Sequence, residues 1–125
     1  MIGRRSWCCA DGKRPVTPLG APASSTDPGT WCSFAEVRVS GAYGVMLGDG
    51  LGCYDLDHVT DAEARRFMAT IPEPILYCER SVSGEGVHVF VEAPEGPGWR
   101  RIVDGVSVER YSLARFIRTT GRRFT

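Results

Sequence analysis

Asp55 and Asp57 lie two residues apart at the end of the apolar run Leu51–Tyr54. Side chains alternate faces along a strand, so this spacing puts both carboxylates on one side. Two like charges held together repel, and a divalent cation relieves the repulsion. Hard carboxylate oxygens suit Mg²⁺ or Mn²⁺, and such ions handle phosphates. Taken alone, D-x-D equally suits a solvated turn. The apolar run before it is what places the pair at a strand end.

Three further groups could serve the same chemistry. In Glu79-Arg80-Ser81-Val82-Ser83-Gly84-Glu85-Gly86-Val87-His88, Gly84 and Gly86 are expected to let backbone N–H groups approach an anion closely. Ser83 adds a hydroxyl and His88 an imidazole at the start of the next strand. A plain hairpin with a surface histidine has the same composition. Glu109, alternating with Val108, supplies a third carboxylate of the kind a two-metal site needs. Arg115 and Arg118 follow in Arg115–Gly121 and are candidates for phosphate contact.

The elements that must position these groups read as follows. A strand is expected over Ser6–Ala10 and a loop over Lys13–Pro28, which is rich in Pro, Gly, Ser and Thr. Trp31, Phe34 and Val37 predict a helical face that ends near Ser40-Gly41. Tyr43–Leu47 and Leu51–Leu56 are expected to form a hairpin around Gly48-Asp49-Gly50. Thr60 and Glu63 make a capping box that opens a helix over Asp61–Thr70, stopped by Pro72 and Pro74. Further strands are expected at Ile75–Glu79, Val87–Val91, Val106–Tyr111 and Arg115–Thr119, with Glu92–Gly98 as a loop. His88 and Phe90 share a face. The sum is α+β, with an antiparallel sheet covered by helices on one face.

Bulk properties narrow the class. The chain has 125 residues, enough for one domain with a single core. No apolar run approaches the roughly 20 residues that span a bilayer, and residues 1–14 lack the apolar stretch of a secretory signal. A cytoplasmic protein without membrane contact is the expectation. The five cysteines lack C-x-x-C spacing, so reduced, mostly buried thiols are expected. Net charge is zero, yet residues 1–20 balance at +3, 21–97 at −8 and 98–125 at +5. An acidic centre between basic ends fits a metal site with nucleic-acid contacts around it.

In combination these motifs resemble the bifunctional primase–polymerase (prim-pol) domain of the archaeo-eukaryotic primase superfamily, common in phage and plasmid replication proteins. That family carries a strand-borne D-x-D, here Asp55 and Asp57. It carries E-x-S-x-S-G-x-G-x-H, here Glu79 to His88, and a strand acid followed by Tyr, here Glu109 and Tyr111. Lys13-Arg14-Pro15, Ala23 to Trp31 (A-S-S-T-D-P-G-T-W) and Arg115 to Gly121 (R-F-I-R-T-T-G) match its remaining signatures in the right order. The resemblance implies a palm over residues 51–125, related to the RNA-recognition-motif fold, and a small N-terminal α/β unit over 1–50. It implies that Asp55, Asp57 and Glu109 bind two Mg²⁺ or Mn²⁺ ions. Ser83 and His88 would contact nucleotide phosphates, with Arg115 and Lys13 assisting nucleotide or template. The implied activity is template-dependent nucleotidyl transfer from nucleoside triphosphates on single-stranded DNA. The chain shows neither a zinc-binding stem nor a helicase motor, so a separate helicase or primase accessory subunit is an expected partner. A non-catalytic nucleotide- or DNA-binding replisome module is the competing expectation. Nucleotide-sugar transfer, the other common use of D-x-D, needs a longer chain and a nucleotide-binding half.

Overall fold

A computed structural model describes all residues, Met1 to Thr125. It contains strands β1 (Trp7–Asp11) and β2 (Arg14–Val16), helix α1 (Phe34–Val37), strands β3 (Tyr43–Met46) and β4 (Leu51–Asp57), and helix α2 (Asp61–Met68). Strands β5 (Ile75–Arg80), β6 (Val87–Glu92), β7 (Trp99–Val103), β8 (Val106–Tyr111) and β9 (Phe116–Thr119) follow. The fold is α+β, as expected. No helix is long and apolar enough to cross a membrane.

The strands form two antiparallel sheets. The larger has the order β5-β6-β4-β8-β7, the smaller β2-β1-β3-β9. Helix α2 starts at the capping box read from the sequence: the Thr60 side chain accepts from Glu63 N–H, and Glu63 accepts from Thr60 N–H. It ends at Met68, shortly before Pro72.

Register explains how the large sheet is buried on both faces. Tyr54 and Leu56 of β4, Val87, Val89 and Val91 of β6, and Val106 and Val108 of β8 point to one face. There they pack with Ala64 and Phe67 of α2 and with Phe124 from the C-terminus. The alternate positions Leu51, Cys53 and Phe90 point to the other face. They join Trp7, Cys9, Val37, Val45 and Ile117 of the smaller sheet and its helix in a second core. All five cysteines are free and buried, and burial pushes the Cys8 thiol up to about 12, with Cys32 and Cys9 adding to the rise.

Several expectations need correction. β3 and β4 do not form a hairpin; only Gly48 and Leu51 bridge across the turn, and the chain then passes from one sheet to the other. β3 instead pairs with β1 and, through Tyr43↔Thr119 to Met46↔Phe116, with β9. β8 and β9 likewise lie in different sheets, so the last strand returns to the unit built by the first fifty residues. The Lys13–Pro28 stretch holds the short strand β2, and β7 had no sequence-based counterpart. Trp31 stands outside α1, because Ser33 caps the helix and Phe34 begins it.

Candidate functional site

The second core does not extend the length of the large sheet. Along one face of β4 the order is Leu51, Cys53, Asp55, Asp57: two buried apolar side chains, then two carboxylates. The same switch occurs on β6, where Phe90 is in the core and His88 lies beyond it. Where the apolar pairs stop, a cleft of about 930 Å³ opens, with walls from both sheets. Lys13, Asp55, Asp57, Ser83, His88, Glu109 and Arg115 all line it, joined by Ser24, Ser25 and Arg118.

Pairing brings the titratable groups together. Asp55 is directly opposite His88 on β6 and Glu109 on β8, and His88 is opposite Glu79 on β5. Residues opposite one another in a sheet share a face, so the four form a row across β5-β6-β4-β8. His88 Nε2 stands 3.7 Å from Asp55 Oδ1. On the other side of the ring, Nδ1 stands 3.0 Å from Glu79 Oε2, within hydrogen-bond reach. Burial pushes the Asp55 carboxyl up; His88 and Lys13 counter the rise, while Asp57 and Glu109 add to it.

Glu109 is held differently. Arg100 Nε and Nη2 donate to its Oε1 at 2.9 and 2.5 Å, and the Tyr111 hydroxyl donates to the same oxygen at 3.2 Å. Burial pulls this carboxyl up, but the hydrogen bonds from Arg100 and Tyr111 outweigh it and the net direction is down. Arg100 itself is largely exposed. No three His, Cys, Asp or Glu side chains converge closely enough to enclose an ion. Asp55, Asp57 and Glu109 are nonetheless hard oxygen donors of the kind a divalent cation takes, placed on one face around the half-buried Asp55.

The turn Ser81–Gly86 is built differently from the expectation. Gly84 N–H donates to Ser81 O, and Gly86 N–H to Ser81 Oγ at 3.0 Å. Both donors are used within the turn, and neither glycine lines the cleft. Their role is shape. A Cβ on Gly86 would stand 2.7 Å from Leu56 O, so only glycine lets the turn lie against the end of β4. The Ser83 hydroxyl accepts from Glu85 N–H at 3.2 Å and lies 3.2 Å from Ser81 Oγ.

Two further basic residues line the cleft, Arg115 just before β9 and Arg118 on it. Arg115 stacks over the Tyr111 ring at 4.3 Å. Arg118 Nη1 donates to Gly12 O at 2.7 Å, while its Nε is buried without a partner. Two residues to which the sequence reading assigned no role bear directly on the site. Arg100 was hidden because β7 was not foreseen. Glu79 carried a signal: it lies on a strand whose alternation points it to the same face as His88.

No protein-family model matches this chain, and no curated protein matches it either.

Proposed function

We propose that this protein is a template-dependent nucleotidyltransferase, a DNA primase or DNA polymerase of the prim-pol type, using two Mg²⁺ or Mn²⁺ ions. One observation carries the reading. Side chains from motifs scattered between Lys13 and Arg115 line a single cleft, carboxylates and basic groups together. That combination suits a nucleoside triphosphate, whose phosphates would be neutralised by the basic groups and by cations held on the carboxylates. The palm reading draws support from topology. The order β4-α2-β5-β6 followed by β8, with β5-β6-β4-β8 as neighbours, follows the split β-α-β arrangement, with β7 in place of the second crossover helix.

Each residue has a task in this scheme. Asp55, Asp57 and Glu109 hold the ions, Glu109 after exchanging Arg100 for them. Bound there, divalent ions lower the pKa of an attacking hydroxyl and neutralise charge on the triphosphate. His88, protonated on both ring nitrogens, donates from Nε2 to a phosphate oxygen, and Ser83 adds its hydroxyl. Arg115 and Lys13 neutralise phosphates of nucleotide or template. Single-stranded DNA is the polymer substrate, and a helicase or primase accessory subunit is the proposed partner.

Extension of a primed single-stranded template with Mg²⁺ or Mn²⁺ tests the proposal. Asp55→Ala and Asp57→Ala are each expected to lower the rate at least about a hundred-fold, the scale of losing transition-state charge stabilisation, with unchanged circular dichroism. Wild-type activity in both variants would refute it. The clamp of Arg100 on Glu109 favours one alternative, a replisome module that binds nucleotide or DNA without turnover. Tight binding with no extension, with or without a helicase partner, selects that reading.

A further inference from the structure

Glu79 is a charged side chain with no solvent exposure, and its only ionic partner is His88. Burying a carboxylate with neither lysine nor arginine beside it is costly, and hydrogen bonds must compensate. Three donors do so. His88 Nδ1 lies 3.0 Å from Oε2, Thr120 N–H reaches both oxygens at 3.2 and 3.0 Å, and Gly121 N–H reaches Oε1 at 3.2 Å. The donors come from different places: β6 of the large sheet, and the segment leaving β9 of the small one. The same segment is tied to the strand and turn around Glu79 elsewhere. Thr120 Oγ1 donates to Arg80 O, Arg80 N–H donates to Arg122 O, and the Arg122 guanidinium donates to Ser81 O and Val82 O.

From this geometry we infer that Glu79 is a positioning residue that acts through His88. Its carboxylate holds the imidazole by Nδ1 and aims Nε2 into the cleft beside Asp55. It also fixes the end of β9, the strand that Arg115 immediately precedes, relative to that ring. An ionised carboxylate only accepts, so Nδ1 must carry a proton. The atom left to face a phosphate is then always Nε2. Glu79 touches neither nucleotide nor metal; it removes the freedom of a ring that does. The inference rests on the nucleotide-binding reading above and extends it to a residue outside the cleft.

The test is a double-mutant cycle on the full chain, read by calorimetric binding of ATP and of dATP with Mn²⁺. Glu79→Gln keeps the size of the side chain but swaps one acceptor for a donor, so it cannot accept both from His88, which reaches Oε2, and from Gly121, which reaches Oε1. It is expected to weaken binding about ten-fold, the scale of one lost hydrogen bond to a charged group. In a His88→Ala background the same substitution is expected to change binding little, because the group it acts through is gone. Equal weakening in both backgrounds overturns the inference. So does a lowered melting temperature with unchanged affinity, the mark of a merely structural carboxylate. If Glu79→Gln does not fold, the imidazole nitrogen spectrum of the unaltered protein decides: a proton on Nδ1 of His88 supports the inference, and its absence overturns it. Wild-type protein that binds neither nucleotide refutes the nucleotide reading and this inference with it. Wild-type binding that Glu79→Gln leaves unchanged refutes only the inference.

Discussion

At the scale of single residues, the site sets charge against solvation. Asp55 is a carboxylate on a face that begins with the buried Leu51 and Cys53, and burial, with Asp57 and Glu109 adding to it, raises its pKa. The linkage has a definite sign. The folded state keeps the proton to higher pH than the unfolded chain does, so stability falls as pH rises from the ordinary carboxyl range through the raised value. Asp55→Asn removes the charge and keeps the shape. It is therefore expected to raise the melting temperature at pH 7 while abolishing extension activity, and to lose that advantage below the ordinary carboxyl range. Equal effects at pH 7 and pH 3 would contradict this. Much of this residue-level picture was legible in the sequence, because period-two alternation alone puts Asp55 with Asp57 and His88 with Phe90. What was not legible is which donors are already taken. Gly84 and Gly86 look like anion binders until their N–H groups are seen bound to Ser81, and Arg100 on Glu109 depends on a strand pairing that no local pattern announces.

Elements were read well where their causes are local and poorly where pairing decides. The Thr60–Glu63 capping box lies within a single turn, and α2 begins where the sequence put it. Gly48-Asp49-Gly50 also makes a turn, but a turn does not choose a strand's partner. β3 pairs with β1 and β9, and β4 with β6 and β8, so the strands flanking the turn lie in different sheets and meet through the core between them, Val45 from one side and Leu51 and Cys53 from the other. The pairing of β3 with β9 has a requirement of its own at Gly44. A Cβ there would stand 2.3 Å from Ile117 O and 2.6 Å from the Phe116 ring, and neither can retreat without breaking the ladder or filling the cleft. Gly44→Ala is expected to cost about 3 kcal/mol, the upper range for an overpacked site. Urea unfolding measures the loss directly. Because β9 carries the segment that holds Glu79, nucleotide affinity is expected to fall with it. A variant as stable as wild type would show that the sheet absorbs the extra methyl group.

At the scale of the molecule, the two chain ends share one layer. Lys13 precedes β2 and Arg118 lies on β9, yet both line the cleft that holds Asp55 and Glu109. The basic-acidic-basic distribution along the sequence thus contributes, in part, a basic wall to the cleft that holds the acids. The sequence shows the charge blocks but not that folding brings the outer two together, since that depends on the long-range pairing of β3 with β9. On the proposed reading the basic wall meets phosphates of single-stranded DNA, and each neutralised phosphate releases counterions. Lys13, Arg115 and Arg118 give three such contacts. The logarithm of the association constant should then fall against the logarithm of salt concentration with a slope of about −2, from roughly 0.7 per contact on a single strand. Lys13→Gln is the cleanest probe, because its side chain is exposed and the protein should fold without it. Fluorescence anisotropy with a labelled oligonucleotide across a salt series should show the slope shallower by about 0.7, with the same melting temperature. A slope that Lys13→Gln leaves unchanged would place the strand away from this wall. A slope near zero in the wild type would mean that DNA does not bind through this cleft, and that the basic wall serves the nucleotide alone.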